Sequence, residues 1–140
     1  MRTIFGDSGG WIALVNREDP RHPTALAYYE RRVAARDRFV TTNYVIDETA
    51  THLRYTLGLP AALAFHRAVE RAVAEGLLRL RWVDPRIERE AWELLERYRD
   101  VPLSLTDATS AAVARRAKVR EVFGFDSDFR ALGFDVQPLA

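Results

Sequence analysis

The chain has 140 residues, 48% of them hydrophobic and 29% charged, with 21 basic against 20 acidic residues and a formal charge of +1. This length and balance suit one folded domain over residues 1–140 and exclude a disordered chain. Cysteine is absent, which excludes disulfide frameworks, thiolate zinc sites and cysteine nucleophiles together and suits a reducing compartment.

The N-terminus, Met1-Arg2-Thr3-Ile4-Phe5-Gly6-Asp7, has no long apolar stretch and no small-residue cleavage site, so no signal peptide is expected. No run approaches the roughly 20 apolar residues needed to span a bilayer, and the expected location is the cytoplasm. The charge balance is not a strong nucleic-acid signature. Lys118 is the one lysine, the other basic residues being arginine, a bias that base composition of the genome explains.

In chain order, Arg2–Asp7 reads as a strand, and Gly10–Asn16 as a short apolar helix. Thr24–Arg36 follows as a helix with Leu26, Tyr29, Val33 and Ala34 on one side. Arg38–Thr42 is the second strand. Asn43–Leu57 is a helix preceded by the capping candidates Thr41 and Thr42 and stopped by Gly58 and Pro60. Ala61–Glu75 ends at Gly76, a suitable C-cap. Leu77–Asp84 is a third strand, and Pro85–Arg99 a helix with proline in its first turn. Thr106–Ala117 begins after a Ser/Thr/Asp cap cluster, and Arg120–Asp126 and Val136–Leu139 close the chain as strands. Strands alternating with helices predict an α/β fold, a three-layer α/β/α sandwich around a central, mostly parallel sheet.

Most acidic residues belong to solvated helix faces, but a few stand where chemistry is done. Asp7 ends the first strand and Asp126 a later one; in open parallel sheets ligands bind beyond the carboxyl ends of the strands. Asp107 opens a helix, where complementing the helix dipole is a sufficient reason for it. Glu48 lies on a helix whose largely aliphatic stripe runs through Ile46, Thr49, Ala50, Leu53 and Leu57, so periodicity points it toward solvent. Asp126-Ser127-Asp128 lacks the glycine and distal glutamate of a calcium loop, and a plain turn with aspartate caps is its bland reading. Crowded carboxylates stay ionised only beside a hard cation. Magnesium commonly joins such oxygens to phosphate substrates, so metal-assisted phosphodiester hydrolysis is the natural chemistry.

Four segments, Phe5-Gly6-Asp7-Ser8-Gly9-Gly10-Trp11-Ile12-Ala13-Leu14, Thr41-Thr42-Asn43-Tyr44-Val45-Ile46-Asp47-Glu48-Thr49, Pro102-Leu103-Ser104-Leu105-Thr106-Asp107-Ala108 and Phe125-Asp126-Ser127-Asp128-Phe129 followed by Gly133-Phe134, together resemble a PIN domain. More narrowly they resemble a VapC-like toxin of a bacterial or archaeal toxin–antitoxin pair, from Ile4 to Pro138. The resemblance implies a ribonuclease dependent on Mg²⁺ or Mn²⁺. It implies Asp7, Glu48, Asp107 and Asp126 as the acidic catalytic site, with the metal on Asp7, Asp107 and Asp126. Ser8, Thr106 and Asp128 are implied as supporting residues. It further implies an RNA substrate, a homodimer and an antitoxin whose C-terminal segment blocks the groove. Two departures stand out: Gly124 replaces a threonine common in relatives, and Asp47 rivals Glu48.

Arg115 and Arg116 are expected to contact RNA phosphates, since they follow the Asp107 helix. Trp11, Trp82 and Trp92 are expected as core or interface anchors, with Trp11 close enough to Asp7 to line the site. His22, His52 and His66 lack metal-ligand spacing, although His52 stands one helical turn from Glu48. The competing functions are a catalytically silent PIN-fold module that binds RNA or protein, and a phosphoacceptor domain using Asp84. The latter lacks a suitably placed lysine.

Overall fold

The computed structural model describes residues 1–138. Among these, strands β1 (Thr3–Gly6), β2 (Arg38–Thr42), β3 (Leu78–Arg81), β4 (Glu121–Phe123) and β5 (Asp135–Gln137) form one sheet in the order β3-β2-β1-β4-β5. All four pairings are parallel, so the sheet is wholly rather than mostly parallel. The connecting helices are α1 (Ser8–Val15), α2 (His22–Ala34), α3 (Asn43–Leu57), α4 (Leu59–Ala74), α5 (Pro85–Arg97), α6 (Leu105–Arg116) and α7 (Asp128–Ala131). Helix α1 packs on α2 and α3, α3 on α4, and α5 on α6. Right-handed crossovers place α1–α4 on one face and α5–α7 on the other, because strand order reverses at β1. The expected α/β/α sandwich results, with its switch point between β1 and β4.

Register fixes which side chains meet. Ile4 lies opposite Phe39 and Glu121, and Gly6 opposite Phe123. On this face Trp11, Tyr28, Tyr29, Phe39 and Phe123 form one aromatic cluster. Phe5, Val40 and Val122, fully buried, alternate to the opposite face. Helix α6 is buried almost all round from Ala108 to Ala114, which its small side chains permit between the sheet and α5.

The differences from the expected elements have local causes. The third strand stops at Arg81 because the Val83 N–H turns to Asn43 Oδ1 (2.7 Å) and Asp84 caps α5 by accepting from Ile87 N–H (2.9 Å). The fourth stops at Phe123, so Asp126 lies in a loop, where its Oδ1 accepts from the Asp128 N–H at 2.9 Å. The short α7 was not expected; its four residues are indistinguishable in sequence from an aspartate-capped turn. The final strand begins at Asp135, and Leu139, its expected end, lies outside the described residues. Gly76, at φ +74°, takes the left-handed position after α4, as a C-cap glycine should. Trp82 and Trp92 are not core residues, being 64% and 55% exposed. No helix among the described residues is long and apolar enough to cross a membrane.

Candidate active site

The cleft at the switch point is built from β1 outward. Immediately after the strand, the Asp7 N–H donates to Phe123 O of β4 at 3.0 Å, tying the two strand ends together. Asp7 occupies the N-cap position of α1, yet its side chain makes no capping hydrogen bond. An N-cap aspartate ordinarily spends its carboxylate on the second or third helical N–H. Here Oδ1 is buried without a hydrogen-bond partner. Below it, Trp11 turns into the core and donates from Nε1 to Gly6 O at 3.1 Å; it supports the site from beneath and does not line it.

The other three carboxylates arrive on separate elements. Thr42 caps α3 by accepting from Val45 N–H at 3.1 Å, and one and a half turns later Glu48 faces the cleft, where it accepts a hydrogen bond from the Ser8 hydroxyl. Asp47 points into a different groove, with Trp82 and His66, which separates the two rivals. Asp107 forms a capping box with Ser104: the Asp107 N–H donates to Ser104 Oγ and the Ser104 N–H to Asp107 Oδ2, both at 3.0 Å. Its helix-start role and its place in the cleft therefore coexist. Asp126 descends from the loop after β4. Asp7, Glu48, Asp107 and Asp126 line one cleft of about 370 Å³, with Ser8, Gly9, Arg21, Ser104 and Phe125.

The electrostatics follow from this crowding. Burial, then the neighbouring charge of Asp107, push the Asp7 carboxyl up to about 7; a bond from the Ser8 backbone opposes them, and Glu48 and Asp126 add to the rise. Asp107 is also raised, by burial first and by Asp126 and Glu48, against the bonds from Ser104. The donor set suits a hard divalent cation: all oxygen, mostly carboxylate, with one buried oxygen left without a partner. It is an open set rather than a closed cage, since among the described residues no three acidic, histidine or cysteine side chains stand close enough to hold an ion by themselves. Magnesium, which keeps several waters, does not require such a cage.

Other expected residues lie elsewhere. Thr106 does not line the cleft, and its carbonyl accepts from the Thr109 hydroxyl at 2.7 Å. Asp128 touches Asp126 through its backbone N–H. Arg115 donates to Leu132 O at 2.9 Å, and Arg116 pairs with Glu90 at the far end of α6. Arg116 lines a separate basic concavity with Arg79 and Arg81. Glu48 is engaged by Ser8 and has no bond to His52 among the described residues. Gly124 packs directly on Asp7, where an added Cβ would stand 3.2 Å from Asp7 Cβ. Sequence reasoning missed Ser104 as a cleft residue, although the Ser-x-x-Asp spacing of a capping box was present. It also missed Arg21, which no motif marks. Ser104→Ala removes one half of the capping box, and a loss of about 1 kcal/mol in denaturant unfolding is expected.

Fold and cleft together define a doubly wound α/β domain with an acidic, cation-seeking site at its topological switch point. The PIN domain family model matches residues 4–135, and the chain belongs to that family. It is 39% identical over 139 residues, 96% of this chain and 98% of the relative, to the 23S rRNA-specific endonuclease VapC20 of Mycobacterium tuberculosis. It is 31% identical over 125 residues, 88% of this chain and 76% of the relative, to the VapC ribonuclease of Archaeoglobus fulgidus. The crystal structure of M. tuberculosis VapC20, a sarcin–ricin loop cleaving toxin, superposes with a TM-score of 0.79 at 36% identity, over 94% of this chain and 95% of that one. VapBC2 of Rickettsia felis, at a TM-score of 0.69 and 10% identity over 96% and 97% of the two chains, shares the fold.

Proposed function

We infer that this chain is an endoribonuclease, the toxin of a VapC-type toxin–antitoxin pair. It hydrolyses RNA phosphodiester bonds in the cleft of Asp7, Glu48, Asp107 and Asp126. The observation that carries this reading is the buried, unpartnered Asp7 Oδ1 amid three further carboxylates, in a chain 39% identical to a ribosomal RNA endonuclease. Asp7, Asp107 and Asp126, which do not by themselves close around an ion, would hold Mg²⁺ or Mn²⁺ together with water ligands. When bound, such a cation supplies charge compensation for the phosphate and lowers the pKa of water. Glu48, which accepts a hydrogen bond from the Ser8 hydroxyl, is in this reading the residue that takes a proton from an attacking water. Asp107 is held in place by its capping box, and Asp7 by the backbone bond to Phe123. The partners in this reading are RNA, an antitoxin protein and a second copy of the chain. The exposed Trp82, beside Ile46, Val69, Val73 and Leu80, offers apolar surface for a protein partner.

The test uses purified chain and bacterial ribosomes, with cut sites in ribosomal RNA mapped by primer extension. Discrete cuts are expected with Mg²⁺ or Mn²⁺ and none with EDTA or with Asp107→Asn. Binding of RNA without any cutting under all metals would favour the silent-module reading instead. Cutting that persists in EDTA would exclude the carboxylate site.

A further inference from the structure

Arg21 is the one basic residue among those lining the acid cleft. It stands just before α2, and its guanidinium carbon lies 4.6 Å from the centre of the Phe125 ring. Nε and Nη2 reach the Asp19 carboxylate at 3.3 and 3.4 Å, and the Arg21 N–H donates to Asp19 Oδ1 at 2.8 Å. Burial pushes the Asp19 carboxyl up, but the bonds from Arg21 outweigh it and hold the group below its ordinary value. One face and one edge of the fork are thereby fixed. The side chain is still 46% exposed, and Nη1 has no protein partner among the described residues.

An RNA strand nearing four carboxylates meets repulsion, and a fixed cation at the rim opposes it. Arginine forks match phosphate oxygens, and a fork already stacked and braced loses little freedom on binding. We propose that Arg21 is a substrate-binding residue that holds a phosphate of the RNA strand at the rim of the cleft, aligning the adjacent bond with the carboxylates. This rests on the endoribonuclease reading above. Asp19 and Phe125 are its positioning residues. The competing possibility is that the Arg21–Asp19 pair braces only its own loop.

Cleavage of ribosomal RNA in purified bacterial ribosomes is compared for the unaltered chain, Arg21→Gln and Arg21→Lys. Arg21→Gln is expected to raise KM about tenfold while kcat changes less than about threefold, the loss of one charge-assisted contact made equally before and during reaction. Arg21→Lys, which keeps the charge without the fork, recovers part of the loss. In the Asp107→Asn background, which is expected to bind without cutting, removing Arg21 makes the plot of log affinity against log salt shallower by about 0.7. An unchanged KM and salt slope for Arg21→Gln, beside an active unaltered chain, would overturn the assignment. So would equal impairment of the Gln and Lys variants together with a lowered melting temperature, the pattern of a loop brace. Should Arg21→Gln fail to fold, Arg21→Met, which keeps a stem against Phe125, is judged by the same criteria. If the unaltered chain neither cuts nor binds ribosomal RNA, the endoribonuclease reading fails and this role falls with it.

Discussion

Asp7→Asn is expected to reduce RNA cleavage at least about a thousandfold, the scale of losing a preorganised charged group at a reacting centre, while making the metal-free protein more stable at neutral pH. Both effects have one cause. The carboxyl is buried, Oδ1 lacks a partner, and three further acids surround it. Its folded pKa of about 7 stands above the ordinary 3.8. Between those values the folded chain holds a proton that the unfolded chain has released, so stability falls as pH rises through this window. An asparagine of the same shape carries no charge to desolvate and can donate to a neighbouring carboxylate. The melting temperatures of the two proteins, in chelator, are expected to coincide near pH 4 and to differ by about 5–10 °C in favour of Asp7→Asn at pH 8. Mn²⁺ should raise the unaltered protein's melting temperature by selective binding to the folded state and raise the variant's much less. A variant that melts lower at pH 8 would show that Asp7 stabilises the fold instead of opposing it.

How far this site was legible depends on what positions each side chain. Asp7 and Asp126 were legible from local pattern, because each follows a β-like run and the C-terminal ends of parallel strands converge. Glu48 was not. Its helix stripe points it to solvent, and it is indeed exposed; only the packing of α1 on α3, which brings Ser8 against it, turns that exposed face into a cleft wall. The family resemblance supplied what periodicity could not. Asp107 presented two roles at the sequence level; in the fold it forms the capping box and also lines the cleft. Arg115 and Arg116 follow Asp107 in the chain but do not line its cleft. Eight or nine residues of helix at about 1.5 Å each carry them some 12–14 Å along the axis from Asp107, to the other end of α6. Arg21 gave no signal because its position depends on a loop meeting Phe125, a contact spanning most of the chain. The fold class came from alternation of elements, while the fully parallel order and its reversal at β1 required the three-dimensional register.

The adjacent substitutions Gly9→Ala and Gly10→Ala are expected to act with opposite signs, although both add one methyl to the same turn of α1. In the helix itself alanine is favoured over glycine by up to about 1 kcal/mol. At Gly9 the added Cβ would meet only Phe125 N at 3.8 Å and Asp7 Oδ2 at 4.0 Å, ordinary contacts, so this variant should be neutral or slightly more stable. At Gly10 it would stand 2.5 Å from the Phe123 carbonyl oxygen and 3.0 Å from both the carbonyl carbon and Cδ2 of that residue. The oxygen cannot yield freely, because it is the acceptor of the Asp7 N–H that joins β1 to β4. Either α1 lifts from the sheet or the strand ends part. Overpacking of this kind costs about 1–3 kcal/mol or more, enough to outweigh the propensity gain and lower the melting temperature by about 3–5 °C per kcal/mol for a domain of this size. The same displacement moves Asp7 relative to Asp126, so cleavage should fall further than the loss of folded protein explains. Activity per folded molecule, measured well below the melting temperature, separates the two. If Gly10→Ala melted with Gly9→Ala and cut RNA normally, the close seating of α1 on β4 would not be what holds the two aspartates together.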